Sequence, residues 1–301
     1  MSNRGFYHTL APLSGVCPES VEIASPFWPT DVREGPPYDF QKEEEAMNWE
    51  VSGKSWGARA WDWAIYQESL GSNAVSLVLS RTGVGLGTRM LDIACGSGWA
   101  VAQAAAMGAE AVGLDASEEL LSIGRERTRR GHFVRSPMEE LPFEDETFDV
   151  VTSFNGLQFG GESAFSEAIR VLHPRGTLAM TFWSDFGDFG EYFQLLGNYS
   201  PPGGSTLPAK FKEHGVAEKK FDGLGLKEIR REVSEVISIF RNKEDAFRGM
   251  ASAGPAVVAI DYSGENIVRI AMDEYLEKFT DRDSGRVKLI GTFSTVFGRK
   301  P

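Results

Sequence analysis

The stretch Met90-Leu91-Asp92-Ile93-Ala94-Cys95-Gly96-Ser97-Gly98-Trp99 joins a short apolar segment to a glycine-rich turn, with one carboxylate just inside the segment. Glycine tolerates positive φ and lets the backbone come close to a ligand, because it has no Cβ. The alanine-rich residues 100–107 indicate a helix that the turn opens. A strand, a glycine turn and a helix in this order are typical of a site for a nucleoside-bearing cofactor.

A second apolar segment, Ala111-Val112-Gly113-Leu114-Asp115, ends in an acid about 20 residues beyond the first glycines. An acidic residue in this position can accept hydrogen bonds from both hydroxyls of a ribose. A dinucleotide-binding turn would have a third glycine at the next spacing, where Val101 stands in this chain. An NAD site is therefore the less favoured interpretation.

With these two motifs the chain resembles the class I S-adenosylmethionine-dependent methyltransferases, whose first motif corresponds to residues 92–98 and whose second corresponds to residues 113–117. Three further segments extend the resemblance to the ubiquinone-biosynthesis-like subgroup. They correspond to its adenine-contacting loop (136–143), to its fourth strand (148–155), and to the helix and turn before its fifth strand (167–176). Pro137 and Arg175 depart from that subgroup, which usually has an aspartate and a Gly-Gly turn at these positions.

The resemblance implies which residues hold S-adenosylmethionine. Asp115 would accept hydrogen bonds from the ribose hydroxyls, and Asp92 would orient the turn and meet the ammonium group of the cofactor. Arg59 is a candidate partner for the cofactor carboxylate, with an exposed helix arginine as the alternative. The other expected cofactor contacts are Ala94, Gly96, Gly98, Ala116, Met138, Glu139, Phe154 and Asn155.

The expected activity is methyl transfer to a small, largely apolar or aromatic metabolite, for example of specialised metabolism. Because the leaving sulfur already carries a positive charge, the protein has to supply alignment and exclusion of water, and proximity is expected to drive the reaction. The substrate-binding candidates are Trp56, Gln158, Phe159 and Trp183. A catalytic base is not assigned, and His214 and Gln158 are the candidates for one.

Two alternatives to methyl transfer stay open at the level of sequence. One is a methyltransferase-like fold that keeps S-adenosylmethionine while catalysing a cyclisation or an elimination. The other is a non-catalytic cofactor-binding partner protein, which the intact glycine motif disfavours.

The predicted fold is an α/β, doubly wound, Rossmann-like sheet of seven strands, with an antiparallel hairpin at the C-terminal end and a cap from N-terminal and inserted segments. A helical pattern covers residues 49–80, and residues 177–183, 233–240 and 287–297 are predicted as the last three strands. The predicted parts are an N-terminal arm and helical cap (1–80), the cofactor-binding core (81–183), a cap insertion (184–225), a core strand (226–241), a helical cap insertion (242–285) and the final core strand (286–301).

Composition restricts the partners. The chain has 301 residues and a formal net charge of −12, which argues against a protein that must neutralise a nucleic-acid backbone. Cys17 and Cys95 lie far apart without metal-ligand spacing, so no metal site is predicted. Without a signal-peptide pattern or a membrane-spanning apolar run, the expectation is a cytoplasmic protein that acts on a small molecule.

Overall fold

The computed structural model describes residues 49–202 and 209–301. The arm predicted at the N-terminus, residues 1–48, lies outside the described residues. Seven strands form one sheet in the order β3-β2-β1-β4-β5-β7-β6. The strands are β1 Arg89–Ile93, β2 Glu110–Asp115, β3 His132–Arg135, β4 Phe148–Phe154, β5 Leu172–Asp185, β6 Lys227–Phe240 and β7 Val287–Arg299.

The first five strands run parallel, and β7 runs antiparallel between β5 and β6. This arrangement confirms the predicted fold class, including the antiparallel hairpin at the C-terminal end. The α-helices of the described residues are α1 Trp49–Gly57, α2 Ala60–Asp62, α3 Ser72–Thr82, α4 Trp99–Ala106, α5 Glu118–Arg127, α6 Gly161–Val171, α7 Phe189–Tyr199, α8 Val216–Gly223, α9 Lys243–Met250, α10 Gly254–Ser263 and α11 Glu265–Glu277.

The helical pattern over residues 49–80 is broken in the structure. A π-helical turn, Trp63–Gln67, and a 3-10 turn, Glu68–Gly71, separate α2 from α3. The helix α1 ends at Gly57, where a Cβ would lie 2.4 Å from the hydroxyl of Ser117. Glycine is a poor helix former, and here it also permits a close contact that a continuous helix with larger residues would not allow.

Two strands begin earlier than their sequence pattern predicts. Strand β6 starts at Lys227 and not at Val233, because its first half lies at the free edge of the sheet and carries charged side chains, which hide the apolar alternation. Strand β5 starts at Leu172 and includes Arg175, whose φ of +68° is the conformation that glycine adopts most easily. This conformation accounts for the Gly-Gly turn that the subgroup usually has there.

Two apolar clusters flank the carboxyl ends of the central strands. The larger one joins β6 and β7 to α7, α9, α10 and α11, and a second one lies where α4 and α5 pack on β1 and β2. Phe154, the last residue of β4, packs against both clusters. In the described ranges, no helix is long and apolar enough to cross a membrane.

Candidate functional site

The Asp115 carboxylate fixes the geometry of the glycine turn. One oxygen accepts a hydrogen bond from the backbone N–H of Gly96 at 2.8 Å, and the other accepts from the N–H of Ser117 at 2.8 Å. Ser117 then caps α5 through a bond from the N–H of Leu120 to its hydroxyl. Burial raises the pKa of Asp115, although these N–H groups lower it. The end of β2 is thereby tied to the turn after β1.

Asp92 is a second buried carboxyl, in the adjacent strand. It is 2% exposed, and one of its oxygens accepts a hydrogen bond of 2.7 Å from the Thr152 hydroxyl of β4. Burial raises the pKa of Asp92 to about 8, and the negative charges of Asp115 and Glu68 act in the same direction. A cation placed beside Asp92 would favour its ionised form.

Strained backbone occurs just after the ends of β1 and β4. Ala94 has a φ of +57° and Asn155 a φ of +61°, although neither is a glycine. Such conformations persist where the surrounding structure enforces them, often at ligand sites. The backbone N–H of Asn155 donates to the carbonyl of Thr181 at 2.9 Å, while its side-chain oxygen is buried and has no hydrogen-bond partner within ranges 49–202 and 209–301.

A first cavity of about 130 Å³ lies at the ends of β2 and β4. Asp115, Ala116, Met138 and Glu139 line it, as the sequence motifs predict for an adenosine site. Burial raises the pKa of Glu139. The helix α1 closes one side of this cavity and approaches so closely that a Cβ on Gly53 would lie 2.5 Å from the carbonyl oxygen of Ala116.

A second cavity of about 160 Å³ adjoins the first and has a largely aromatic wall. Trp183 lies at its centre and packs against Phe293, with ring centroids 4.5 Å apart, and against Phe189 at 5.0 Å. Tyr192 and Phe193 extend the aromatic wall along α7. The polar groups in this wall are few: Gln67, Glu68, Asp92, Asn155 and Gln158.

The two cavities share part of their walls. Their common residues come from the N-terminal helical segment, the glycine turn and the end of β4: Trp56, Trp63, Ala94, Gly96, Phe154, Asn155 and Phe159. A ligand in the first cavity and a ligand in the second would therefore contact the same strip of protein.

Glu68 anchors the N-terminal segment to the glycine turn. One of its oxygens accepts from the Ser97 hydroxyl at 2.6 Å and from the backbone N–H of Trp99 at 3.2 Å. The other oxygen forms an ion pair of 2.7 Å with Arg127, which also donates to the carbonyl of Ser97 at 2.8 Å. Burial raises the pKa of Glu68, and the Ser97 and Arg127 contacts lower it.

Three of the candidates named from the sequence lie away from both cavities. Arg59 forms a 2.7 Å ion pair with Glu265 on the surface, which corresponds to the alternative considered for it. His214 is exposed in the turn before α8. A Cβ on Gly98 would lie 2.6 Å from the ring of Phe133, so the glycine is required there by packing against β3.

The wall also contains residues that the sequence reasoning missed, above all Gln67 and Glu68. Gln67 falls at helical spacing on the same stripe as Trp56, Ala60 and Trp63, and a polar residue on an apolar stripe is the signal that could have revealed it. The aromatic residues of α7 and β7 gave no local signal, since they lie outside the cofactor motifs and only the fold brings them to the cavity. Among the described residues, no group of three or more His, Cys, Asp or Glu side chains could hold a metal ion.

Comparison with known proteins agrees with this geometry. A family model described as a methyltransferase domain matches residues 91–180. A demethylmenaquinone methyltransferase of Staphylococcus aureus is 34% identical over 170 residues, which are 52% of this chain and 70% of that protein. The chain belongs to the class I S-adenosylmethionine-dependent methyltransferases.

Other similar proteins show how widely this fold is used. An uncharacterized protein of Mycobacterium tuberculosis is 28% identical over 228 residues, which are 70% of this chain and 80% of that protein. A putative methyltransferase of Bacillus halodurans has a TM-score of 0.50 at 20% identity, covering 75% of this chain and 98% of its own. The [4+2]-cyclase SpnF also has a TM-score of 0.50, at 19% identity, covering 84% of this chain and 93% of its own. At these identities the two structures show the fold alone.

S-adenosylmethionine is the cofactor of this methyltransferase, and the residues present fit it. The cofactor carries an ammonium group, a sulfonium and two ribose hydroxyls, all of which call for electron-rich partners. The buried carboxylates of Asp92 and Asp115 and the unpartnered oxygen of Asn155 supply such partners along the two adjoining cavities.

Proposed function

We propose that this methyltransferase transfers the methyl group to a small, largely apolar or aromatic molecule held in the second cavity. The observation that carries this proposal is the strip of wall shared by the cofactor cavity and the aromatic cavity. In-line displacement requires the acceptor atom and the methyl group to meet in one water-poor space. Adjoining cavities with a common aromatic wall provide such a space.

The first cavity and the glycine turn would hold the cofactor. Asp115 uses each oxygen once on a backbone N–H, which leaves lone pairs that can accept from the ribose hydroxyls. Asp92 and the strained residue Asn155 would accept from the ammonium group. Met138 and Glu139 would cover the adenine ring.

In the second cavity the protein's contribution is alignment and exclusion of water. When bound, S-adenosylmethionine supplies the electrophilic methyl group and a leaving sulfur that needs no acid. Trp183, Phe159 and Trp56 would hold a flat acceptor against the shared wall, and Gln158 would orient it through a hydrogen bond. Among the described residues, neither histidine nor lysine lines this cavity, which supports catalysis by proximity.

The Staphylococcus aureus relative, named for methylation of demethylmenaquinone, supports a small-molecule acceptor. The size of the second cavity, about 160 Å³, is in keeping with one. SpnF, named as a cyclase, represents the alternative activity that an experiment has to distinguish from methyl transfer.

The test is the release of S-adenosylhomocysteine with a panel of phenols, amines and enolisable ketones. We expect release with at least one class, together with a methylated product of matching mass. Asp115→Ala should weaken cofactor binding by at least about 10-fold, because charge-assisted hydrogen bonds worth about 1.5–3 kcal/mol each are lost. Asp261→Ala, which removes an exposed carboxylate on α10, is the matched control.

Each alternative predicts a different result. Conversion of an acceptor without S-adenosylhomocysteine release would overturn methyl transfer in favour of a cyclase-like activity. Tight cofactor binding without conversion of any panel member would favour the non-catalytic partner.

A further inference from the structure

The π-helical turn Trp63–Gln67 has no part in the cofactor motifs, and both of its terminal residues line the aromatic cavity. Turns of this kind are rare and occur frequently at functional sites. The outer side of the turn is fixed to α9, since Arg248 forms an ion pair of 2.5 Å with Asp62 and donates to the Tyr66 hydroxyl at 3.1 Å. The turn is thus a rigid element that holds Gln67 at the inner wall.

Gln67 has a buried polar group that the protein itself does not satisfy. The residue is 8% exposed, and its side-chain oxygen has no hydrogen-bond partner among the described residues. The side-chain oxygen of Gln158, in the 3-10 turn Leu157–Phe159, is also buried without a hydrogen-bond partner among the described residues, and Gln158 lines the same cavity. With Asn155, three unpartnered acceptors line this cavity, and the ring N–H of Trp99 is an unpartnered donor in the same wall among the described residues. Buried polar groups of this kind cost stability, so the excess of acceptors points to a ligand that donates a hydrogen bond.

The charged groups of this cavity restrict the ligand further. Asp92 and Glu68 line it, whereas no lysine, arginine or histidine of the described residues does. Among the described residues, the cation that pairs with Glu68 is Arg127, and it also donates to the carbonyl of Ser97. A carboxylate or phosphate on the acceptor would lose its hydration beside a wall whose described residues include acids but no lysine, arginine or histidine to act as its counter-ion.

We propose that Gln67 and Gln158 select an uncharged, flat aromatic acceptor that carries a hydroxyl group, which donates its hydrogen bond to one of these two amide oxygens. This inference rests on the proposed function, because it takes the aromatic cavity as the acceptor site. It assigns Gln67 as a specificity-determining residue.

The test uses four naphthalene probes and tryptophan fluorescence, in the full chain saturated with S-adenosylhomocysteine. Trp183, Trp56 and Trp63 line the cavity and report on its occupancy. We expect 2-naphthol to bind about 10-fold more tightly than 2-methoxynaphthalene, which cannot donate. We expect 2-naphthoate and 2-naphthyl phosphate to bind at least about 10-fold more weakly than 2-naphthol.

The variant Gln67→Leu separates recognition from a structural role. Replacing an unpartnered buried amide by an apolar group should keep or raise the melting temperature, while the preference for 2-naphthol over 2-methoxynaphthalene is lost. Gln158→Leu tests the residue of the 3-10 turn in the same way, by its melting temperature and its preference for 2-naphthol. Gln194→Leu, at an exposed position of α7, is the control and should keep the preference.

Equal binding of 2-naphthol and 2-methoxynaphthalene, tight binding of either anion, or an unchanged preference in both cavity variants would overturn the inference. Absence of quenching by 2-naphthol would do the same. Selective 2-naphthol binding without methyl transfer to any acceptor would overturn the proposed function alone. Methylation of a carboxylated or phosphorylated acceptor would uphold that function and overturn this inference.

Discussion

Replacing Glu68 by glutamine should destabilise the protein by about 3 kcal/mol and weaken cofactor binding. The carboxylate bonds to the Ser97 hydroxyl at 2.6 Å and to the Trp99 N–H at 3.2 Å, and it forms an ion pair with Arg127 at 2.7 Å. Glutamine keeps the size of the side chain, but it has no charge. Its contacts would therefore hold the glycine turn less firmly.

The magnitude follows from these contacts. A hydrogen bond to a charged group is worth about 1.5–3 kcal/mol and a neutral one about 0.5–1.5 kcal/mol, so weakening both bonds costs about 2 kcal/mol. Breaking a fully buried ion pair costs about 3–5 kcal/mol. Arg127 is 22% exposed and keeps its bond to the Ser97 carbonyl, so we assign only about 1 kcal/mol to the lost pair.

The assay is thermal unfolding, followed by calorimetric titration with S-adenosylmethionine. At about 2–4 °C per kcal/mol for a chain of this size, the melting temperature should fall by about 6–12 °C. Glu118→Gln is the control, because its ion pair with Arg125 is exposed on both sides and worth about 0–1 kcal/mol. Equal melting temperatures of Glu68→Gln and Glu118→Gln would refute the role of Glu68 as an anchor of the turn.

Three further predictions concern the acid of β1 and two glycines. Burial raises the pKa of Asp92 to about 8, so the folded protein favours the protonated carboxyl. The contribution of Asp92 to the unfolding free energy should therefore fall as the pH rises from about 4 to about 8, by up to about 1.4 kcal/mol per pH unit. Urea unfolding of the wild type and of Asp92→Asn across this range should diverge, and parallel pH profiles would contradict the burial of the carboxyl. Gly98→Ala should lower the unfolding free energy by about 2–4 kcal/mol, since φ at this residue is +76° and the new Cβ would lie 2.6 Å from the ring of Phe133. Adding Phe133→Leu should recover part of that stability in denaturant titrations, and no recovery would contradict the ring contact. Gly53→Val should push α1 away from the carbonyl oxygen of Ala116, which lies 2.5 Å from the position of a Cβ on Gly53. The cofactor affinity measured by calorimetry should therefore fall. An unchanged affinity would show that α1 does not shape the cavity.

The parts of the fold and site that could be predicted from the sequence are local. Asp92, Gly96 and Asp115 lie within a few tens of residues of one another, and the strands that carry them are buried apolar runs with little ambiguity. The glycine turn between them leaves few alternative conformations. For this reason several residues that line the first cavity could be named from the sequence.

The second cavity could not be predicted in the same way. Its wall combines α7, β7 and the turn before α10 with the N-terminal segment, and such long-range juxtaposition leaves no periodic trace in the chain. The π-helical turn could not be predicted, because its one extra residue per turn changes the spacing of the apolar residues around Trp63 by only one position. The sequence also contained no sign that Gly98, predicted as a cofactor contact, packs closely against Phe133, because the two residues are brought together by the fold.

The wall common to both cavities has a kinetic consequence. With Phe154, Asn155 and Phe159 facing both cavities, a bound cofactor would form part of the surface that an acceptor meets. An acceptor that arrived first would find this surface incomplete and would bind weakly. Steady-state turnover should therefore follow a compulsory order, with the cofactor binding first and its demethylated product leaving last, so that this product inhibits competitively against the cofactor and non-competitively against the acceptor.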